Sequence, residues 1–139
     1  MNKMFMVFLS LLCIGMQNVF ADIPASIEIN NVNTHGGIIY GYVFFSASAY
    51  KNKNADITFE VNPTNSTIIH EMQLPERELM ISIFQDMNGN GVLDSNLFNV
   101  PKEPVGMTNY NGGISGNFNK LKINISSSNG GIIIPLIIF

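Results

Sequence analysis

The residues best suited to chemistry in this chain lie in one stretch, residues 86–103, which reads DMNGNGVLDSNLFNVPKE. Oxygen-bearing side chains occupy relative positions 1, 3, 5 and 9 of this stretch, and a glycine occupies position 6. This is the spacing of a calcium-binding loop, in which a hard cation gathers about six to eight oxygen ligands. The residues in this pattern are Asp86, Asn88, Asn90, Gly91 and Asp94.

The remaining ligands of such a site must come from other groups. Val92, at position 7, would bind a cation through its backbone carbonyl. Position 12, where an EF-hand carries a bidentate glutamate, is Leu97, and two prolines follow the loop, so the segment is not an EF-hand. Glu103 is the nearest carboxylate that could complete a Ca²⁺ site. The alternative interpretation is a hairpin-type loop, rich in Asn-Gly turns, that binds no metal.

Groups suited to catalysis are sparse. His35 and His70 are the only two histidines, and strand alternation places His70 and Glu71 on opposite faces. Asp86 and Asp94 could act as an acid–base pair in glycoside hydrolysis, but cation binding explains their spacing better. The sequence therefore predicts a protein that is not an enzyme, with no catalytic residues and with Ca²⁺ as its one candidate cofactor.

An aromatic segment leaves a second function open. Tyr40, Tyr42, Phe44 and Phe45 lie on one predicted strand, where such residues pack against the core or against neighbouring strands. On an exposed face, they would instead form a stacking platform for a carbohydrate. The alternative function is therefore an accessory module that binds an unknown protein or glycan at the cell envelope.

The first 21 residues have the pattern of a secretory signal peptide. Lys3 precedes an apolar run over residues 4–16, and Ala21 ends a small-x-Ala cleavage site. We expect cleavage after Ala21, a bacterial periplasmic or secreted location, and one domain over residues 22–139. The single cysteine, Cys13, lies in the signal segment, so the mature domain has no disulfide and no membrane span is expected in it. A net charge of −3 without a basic patch argues against nucleic-acid binding.

The mature segment is a succession of short strands and polar turns. Period-two alternation and clusters of β-branched residues predict strands over residues 26–32, 38–47, 56–61, 67–74, 79–85, 118–125 and 131–139. Residues 48–55 are predicted to form a polar loop, and Pro135 indicates an edge strand or a bend. About seven strands with no predicted helix favour a single all-β antiparallel sandwich, with a long loop between the fifth and sixth strands.

The central segment resembles the uncharacterised bacterial domain-of-unknown-function 2141 family. The similarity rests on a D-x-N-x-N-G-x-L-D segment at 86–94, a G-x-P-x-E segment at 99–103 and a G-[FM]-[ST]-N segment at 106–109. Asn99 stands where the family usually has glycine, and residues 74–81 keep Leu-Pro but lack the family's upstream Gly and Tyr. The resemblance implies a small secreted Greek-key β-sandwich of the transthyretin-like or carboxypeptidase-regulatory type, with no established activity.

Overall fold

The structure is a computed structural model that describes residues 20–112 and 116–139. The predicted signal peptide falls on residues 1–21, so all but its last two residues lie outside the described part. Within that part, the chain forms eight strands and two short helices. The strands are β1 (Asp22–Asn30), β2 (Ile39–Phe44), β3 (Ile57–Val61), β4 (Thr67–Pro75), β5 (Glu78–Gln85), β6 (Val105–Met107), β7 (Ile123–Asn124) and β8 (Gly131–Pro135); the helices are α1 (Ala47–Lys51) and α2 (Phe118–Leu121).

The strands form two sheets, and the predicted all-β sandwich is confirmed. One sheet has the order β4-β1-β8, and the other has the order β3-β2-β5-β6, with β7 paired to β5. Strands β6 and β7 share one edge of β5, because β6 pairs with its second half and β7 with its beginning. The pair β1–β8 is parallel, whereas every other described pair is antiparallel. Nearly the whole chain separates β1 from β8, so no hairpin constrains their direction.

The main core lies between the two sheets and follows from strand alternation. In β1, the side chains of Ile23, Ala25, Ile27 and Ile29 are all buried, while the intervening residues face outward. They form one cluster with inward-facing residues of the other sheet, including Ile39, Val43, Ile81 and Ile83, and of β8. Each inner face is thus apolar at every second residue, which is what a sandwich requires.

A second, smaller core lies on the outer side of the β2–β5 sheet. It contains Phe44 and Met80 from the sheet and Phe118 and Leu121 from α2. This finding corrects the predicted strand over residues 118–125, of which only Ile123–Asn124 is a strand. The spacing of the two apolar residues suits one face of a helical turn, and Asn117 caps it by accepting a hydrogen bond from the backbone N–H of Lys120 (3.1 Å).

Two other elements differ from the predictions, and one further prediction is confirmed. The predicted polar loop over residues 48–55 contains most of α1, which Ser46 caps by accepting a hydrogen bond from the backbone N–H of Ala49 (3.1 Å). Strand β6 was not predicted, because a strand of 3 residues carries no periodic pattern. The prediction for Pro135 is confirmed, since β8 is an edge strand and, beyond it, Ile137 bridges to Val105 of the other sheet.

The segment over residues 106–109 joins β6 to the two cores. A Cβ on Gly106 would lie 2.7 Å from both the Ile134 side chain and the Pro135 carbonyl, so only glycine allows this close approach. The buried Thr108 hydroxyl accepts a hydrogen bond from the backbone N–H of Ile81 (3.2 Å) and donates one to the carbonyl of Leu121 (2.7 Å). The segment therefore ties α2 to β5.

We expect Thr108→Val to destabilise the fold by about 1–2 kcal/mol, because it leaves a buried N–H and a carbonyl without partners. Chemical denaturation measures this change. Thr58→Val, at an exposed position of β3, is the matched control and should stay within about 0.5 kcal/mol of the unaltered protein. Equal stability of the two variants would contradict the assigned role of the Thr108 hydroxyl.

Candidate metal-binding loop

The candidate site lies in the loop over residues 86–104, which joins β5 to β6. The predicted long loop after the fifth strand is thus present, but it ends at β6, before the strand that was predicted to follow it. Asp86 directly follows β5, and its backbone N–H donates to the Ile38 carbonyl (2.9 Å). The second half of the loop folds back as a small hairpin, closed by a bridge between Ser95 and Pro101. The sheet therefore fixes both ends of the segment that carries the predicted ligands.

Asp86 organises the first half of the loop. Its side chain is buried, and one carboxylate oxygen accepts hydrogen bonds from the backbone N–H groups of Gly89 (2.8 Å) and Asn90 (3.3 Å). The other oxygen accepts one from the N–H of Gly91 (2.8 Å). Both glycines have a φ of 74°, and nothing lies within 4 Å of a Cβ built on either. Glycine is therefore favoured at these positions because the backbone is left-handed there, and not because a larger side chain would clash with its surroundings.

The same hydrogen bonds decide the charge of this carboxylate. Desolvation by burial raises the pKa of Asp86, but the hydrogen bonds from the backbone N–H groups of Gly91, Gly89, Asn90 and Asn88 outweigh it. The net effect holds the pKa of Asp86 below its usual value. Asp86 is therefore a fixed negative charge at the base of the loop.

Three predicted ligands meet above that base. One oxygen of the Asp94 carboxylate accepts hydrogen bonds from the side-chain amides of Asn88 (2.6 Å) and Asn90 (2.9 Å). The amide oxygens of these asparagines accept backbone N–H groups two residues further on, those of Asn90 (3.0 Å) and Val92 (2.9 Å). Each amide carries its oxygen on the same carbon as its nitrogen. The amide nitrogens therefore face Asp94 in this structure, and the amide oxygens face the backbone. Three oxygens would surround one point only after a half-turn of both amides, which gives up the hydrogen bonds from the backbone N–H groups of Asn90 and Val92.

Glu103 lies near the end of the loop and is buried. One of its oxygens accepts the backbone N–H of Met87 (2.8 Å), and the other accepts that of Asp94 (3.0 Å). Glu103 thus fastens the end of the loop to its beginning and to its middle. In the described ranges, no three His, Cys, Asp or Glu side chains form a group that could hold a metal, so Asp86, Asp94 and Glu103 do not form a carboxylate cluster.

The hairpin half of the loop contains the departure from the family pattern. Asn99 has a φ of 58°, in the left-handed region that glycine adopts freely and asparagine tolerates. Asparagine is therefore compatible with a left-handed turn residue at this position. At the tip, Leu97 is 99 % exposed and Phe98 is 84 % exposed. The side chain of Val92 is also exposed. Because this side chain is a hydrocarbon, only the backbone carbonyl of Val92 could bind a cation.

Sequence reasoning did not find the groups of a neighbouring cleft. Tyr50 and Lys53, at α1, lie across this cleft from loop residues Val92 and Ser95. These residues are far apart along the chain, and no local motif joins them. Lys53 has a positive φ (55°), but this backbone conformation cannot be recognised from the sequence.

Fold and site together define a small β-sandwich with a glycine-containing, oxygen-rich loop fixed to the end of its central strand. The family model described as "Uncharacterized protein conserved in bacteria (DUF2141)" matches residues 27–132. The chain belongs to this family, as the three segments in and after the loop predicted. No curated protein and no solved structure matches the chain. Within the described residues, no helix has the length and apolar character needed to cross a membrane.

Proposed function

We propose that the protein is an exported, non-enzymatic β-sandwich whose loop over residues 86–94 binds Ca²⁺ as a structural ion. One observation carries this proposal: the side-chain amides of Asn88 and Asn90 both contact the same carboxylate oxygen of Asp94, so the three predicted ligands lie side by side. With the Val92 carbonyl and one further oxygen of Asp86, they would provide an oxygen-only site. Glu103 would support the site by fixing the loop backbone, through the hydrogen bonds that its two oxygens accept from the N–H groups of Met87 and Asp94.

The chemistry of the loop favours calcium over other ions. Neutral amide and carbonyl oxygens outnumber carboxylates, and the described residues offer no His or Cys cluster to a softer metal. Calcium accepts irregular arrangements of oxygens, whereas Mg²⁺ demands a nearly ideal octahedron. A cation at the meeting point would also neutralise Asp94 and would order a loop that is mostly exposed.

Two observations support the other parts of the proposal. Strand β1 begins at Asp22, immediately after the predicted cleavage site, so removal of residues 1–21 would leave every strand complete. A general acid of a glycoside hydrolase needs a raised pKa, whereas the pKa of Asp86 is lowered. Asp86 is thus better suited to binding than to proton transfer.

Thermal unfolding with and without calcium tests the ion site. We expect about 10 mM Ca²⁺ to raise the melting temperature by about 5–10 °C relative to chelator, given the millimolar or tighter affinity of extracellular calcium modules. Asp94→Ala should abolish this shift, while its melting temperature in chelator should change by less than about 3 °C because the side chain holds no backbone group. The matched control, Glu60→Gln on exposed β3, should keep the full shift. Equal melting temperatures in calcium and chelator would refute the proposal.

A second candidate function is favoured by the aromatic residues of β2. Tyr42 and Phe44 line a cleft of about 510 Å³ on the outer face of the sheet, a volume in the range of small-ligand sites. This supports a binding module for a glycan or protein at the cell envelope. The two functions are compatible, because the loop that would hold the ion also forms one wall of the cleft.

A further inference from the structure

Strand β4 forms an open edge of the three-stranded sheet. It is an outer strand in the order β4-β1-β8, and β1 is the one strand that pairs with it in the described part of the chain. It has 9 residues, whereas the edge strands β3 and β8 have 5 residues each. Alternate side chains along β4 are exposed, and Ile69 is 61 % exposed. The sandwich thus presents one long strand edge with no described strand beside it.

Hydrogen bonds on both sides of β1 show which backbone groups of β4 point to this edge. The N–H of Glu76 donates to the carbonyl of Ala21 (2.8 Å), in the register of the β1–β4 pair, so every second residue counted back from Glu76 bonds to β1. The other side of β1 agrees, because the N–H of Ser26 donates to the carbonyl of Gly130, next to β8 (2.8 Å). The residues whose N–H and C=O groups point to the free edge are therefore Thr67, Ile69, Glu71 and Gln73.

The edge of β4 lacks the features by which proteins keep sheets from joining. Such features are proline or lysine on the edge, a bulge, or a very short edge strand. Residues 67–74 contain no proline and no lysine, and their pairing with β1 runs without a bulge. By contrast, β8 ends in Pro135, and Pro63 follows β3 after one intervening residue. The edge of β4 is therefore the one that a further strand can extend.

The sequence of β4 is complementary to itself in an antiparallel pair. With His70 opposite the same residue of a second copy, Ile69 lies opposite Glu71, and Thr67 lies opposite Gln73. Every N–H and C=O group on the two edges then has a partner, because these are the hydrogen-bonded positions. A pair centred on Ile69 leaves Gln73 beyond the end of the partner strand. A pair centred on Glu71 sets two carboxylates directly opposite each other, which is unfavourable.

From these features we infer that two copies of the chain form a dimer through β4, in an antiparallel pair centred on His70. The pair joins the two three-stranded sheets into one continuous sheet. A twofold axis at His70 gives both copies the same contacts, so the assembly closes at two chains. The inference goes beyond calcium binding and does not depend on it, because β4 and the strand that leads into the loop belong to different sheets.

Sedimentation equilibrium of the purified protein tests the dimer. We expect a Kd of about 10 µM, because the contact consists mainly of one pair of strands. Ile69→Pro replaces an edge N–H with a ring but removes no hydrogen bond to β1, so it should raise the Kd at least about tenfold. The matched control is Ile69→Thr, which keeps the N–H and a β-branched side chain and should leave the Kd within about threefold of the unaltered value.

A cysteine at the twofold axis tests the register. His70 would lie opposite itself at a non-hydrogen-bonded position, where two Cα atoms are about 4.5 Å apart and a disulfide can form. In a Cys13→Ser background, which leaves no native cysteine, His70→Cys should form a covalent dimer in oxidised glutathione. Thr58→Cys, exposed on β3, is the matched control and should stay monomeric on a non-reducing gel.

Three results would overturn the inference. The first is a monomer at a protein concentration of about 100 µM. The second is a dimer whose Kd is the same for Ile69→Pro and Ile69→Thr, which would place the contact elsewhere on the molecule. The third is equal cross-linking of the His70→Cys and Thr58→Cys variants, which would show that the strands do not pair about His70.

Discussion

Asp86→Ala is expected to lower the melting temperature by about 10 °C and to abolish any response to calcium. The substitution removes the acceptor of backbone hydrogen bonds from Gly89, Asn90 and Gly91. Two of these residues are glycines with positive φ, so the carboxylate holds backbone that has no preference of its own for this conformation. Without the carboxylate, the first half of the loop loses its organising group.

The contrast with Asp94→Ala makes this expectation specific. Asp94 accepts only side-chain amides, so its loss should affect ion binding but hardly affect the protein in chelator. Asp86→Ala should affect both. Thermal melts in chelator and in calcium, recorded for both variants, separate the two roles. A melting temperature for Asp86→Ala within about 3 °C of the unaltered protein would show that the backbone holds the loop by itself.

The lowered pKa of Asp86 adds a dependence on pH. A carboxylate whose pKa is depressed by folding stabilises the fold fully above its unfolded pKa, which is about 4, and loses that contribution as the pH falls through the folded value. We therefore expect the melting temperature to fall between about pH 5 and pH 3. Asp86→Asn cannot ionise and should show a shallower fall over this window, although its melting temperature at pH 7 should be lower.

Glu103→Ala is the second large expected effect, with a destabilisation of about 3 kcal/mol. The buried carboxylate accepts hydrogen bonds from two separate backbone positions, Met87 and Asp94, and each is of the charge-assisted kind. Without it, both N–H groups lose their acceptor, and the loop is no longer fastened to the segment before β6. Denaturation in urea measures the change.

Glutamine provides the sharper version of this test. Glu103→Gln keeps the shape, but its NH₂ group would face one of the two N–H donors, so we expect it to recover less than half of the loss. Glu71→Gln, on an exposed position of β4, should change stability by less than about 0.5 kcal/mol. If Glu103→Gln were as stable as the unaltered protein, the two hydrogen bonds would not require a carboxylate. Because Asp86 and Glu103 hold the same loop, the effects of their replacement should not be additive.

Short-range patterns in the sequence predicted much of this protein. Alternation along residues 26–32 predicted inward-facing side chains at Ile27 and Ile29, which β1 buries, because a strand exposes every second residue to one face. The spacing of Asp86 and its glycines predicted a tight loop, since its hydrogen bonds span only three to five residues. Family membership and the β-sandwich also followed from such local segments.

Contacts between distant parts of the chain decided the remaining features. The parallel pairing of β1 with β8, the fold of α2 over the outer sheet face and the cleft beside Lys53 depend on residues far apart in sequence. Glu103 was predicted to complete a Ca²⁺ site, whereas its hydrogen bonds to the backbone N–H groups of Met87 and Asp94 depend on how the loop folds back. Local sequence patterns determine the strands and the turn, because side-chain alternation and turn hydrogen bonds involve residues that are close in sequence. Only the packing of the two sheets and the loop determines which side chains meet.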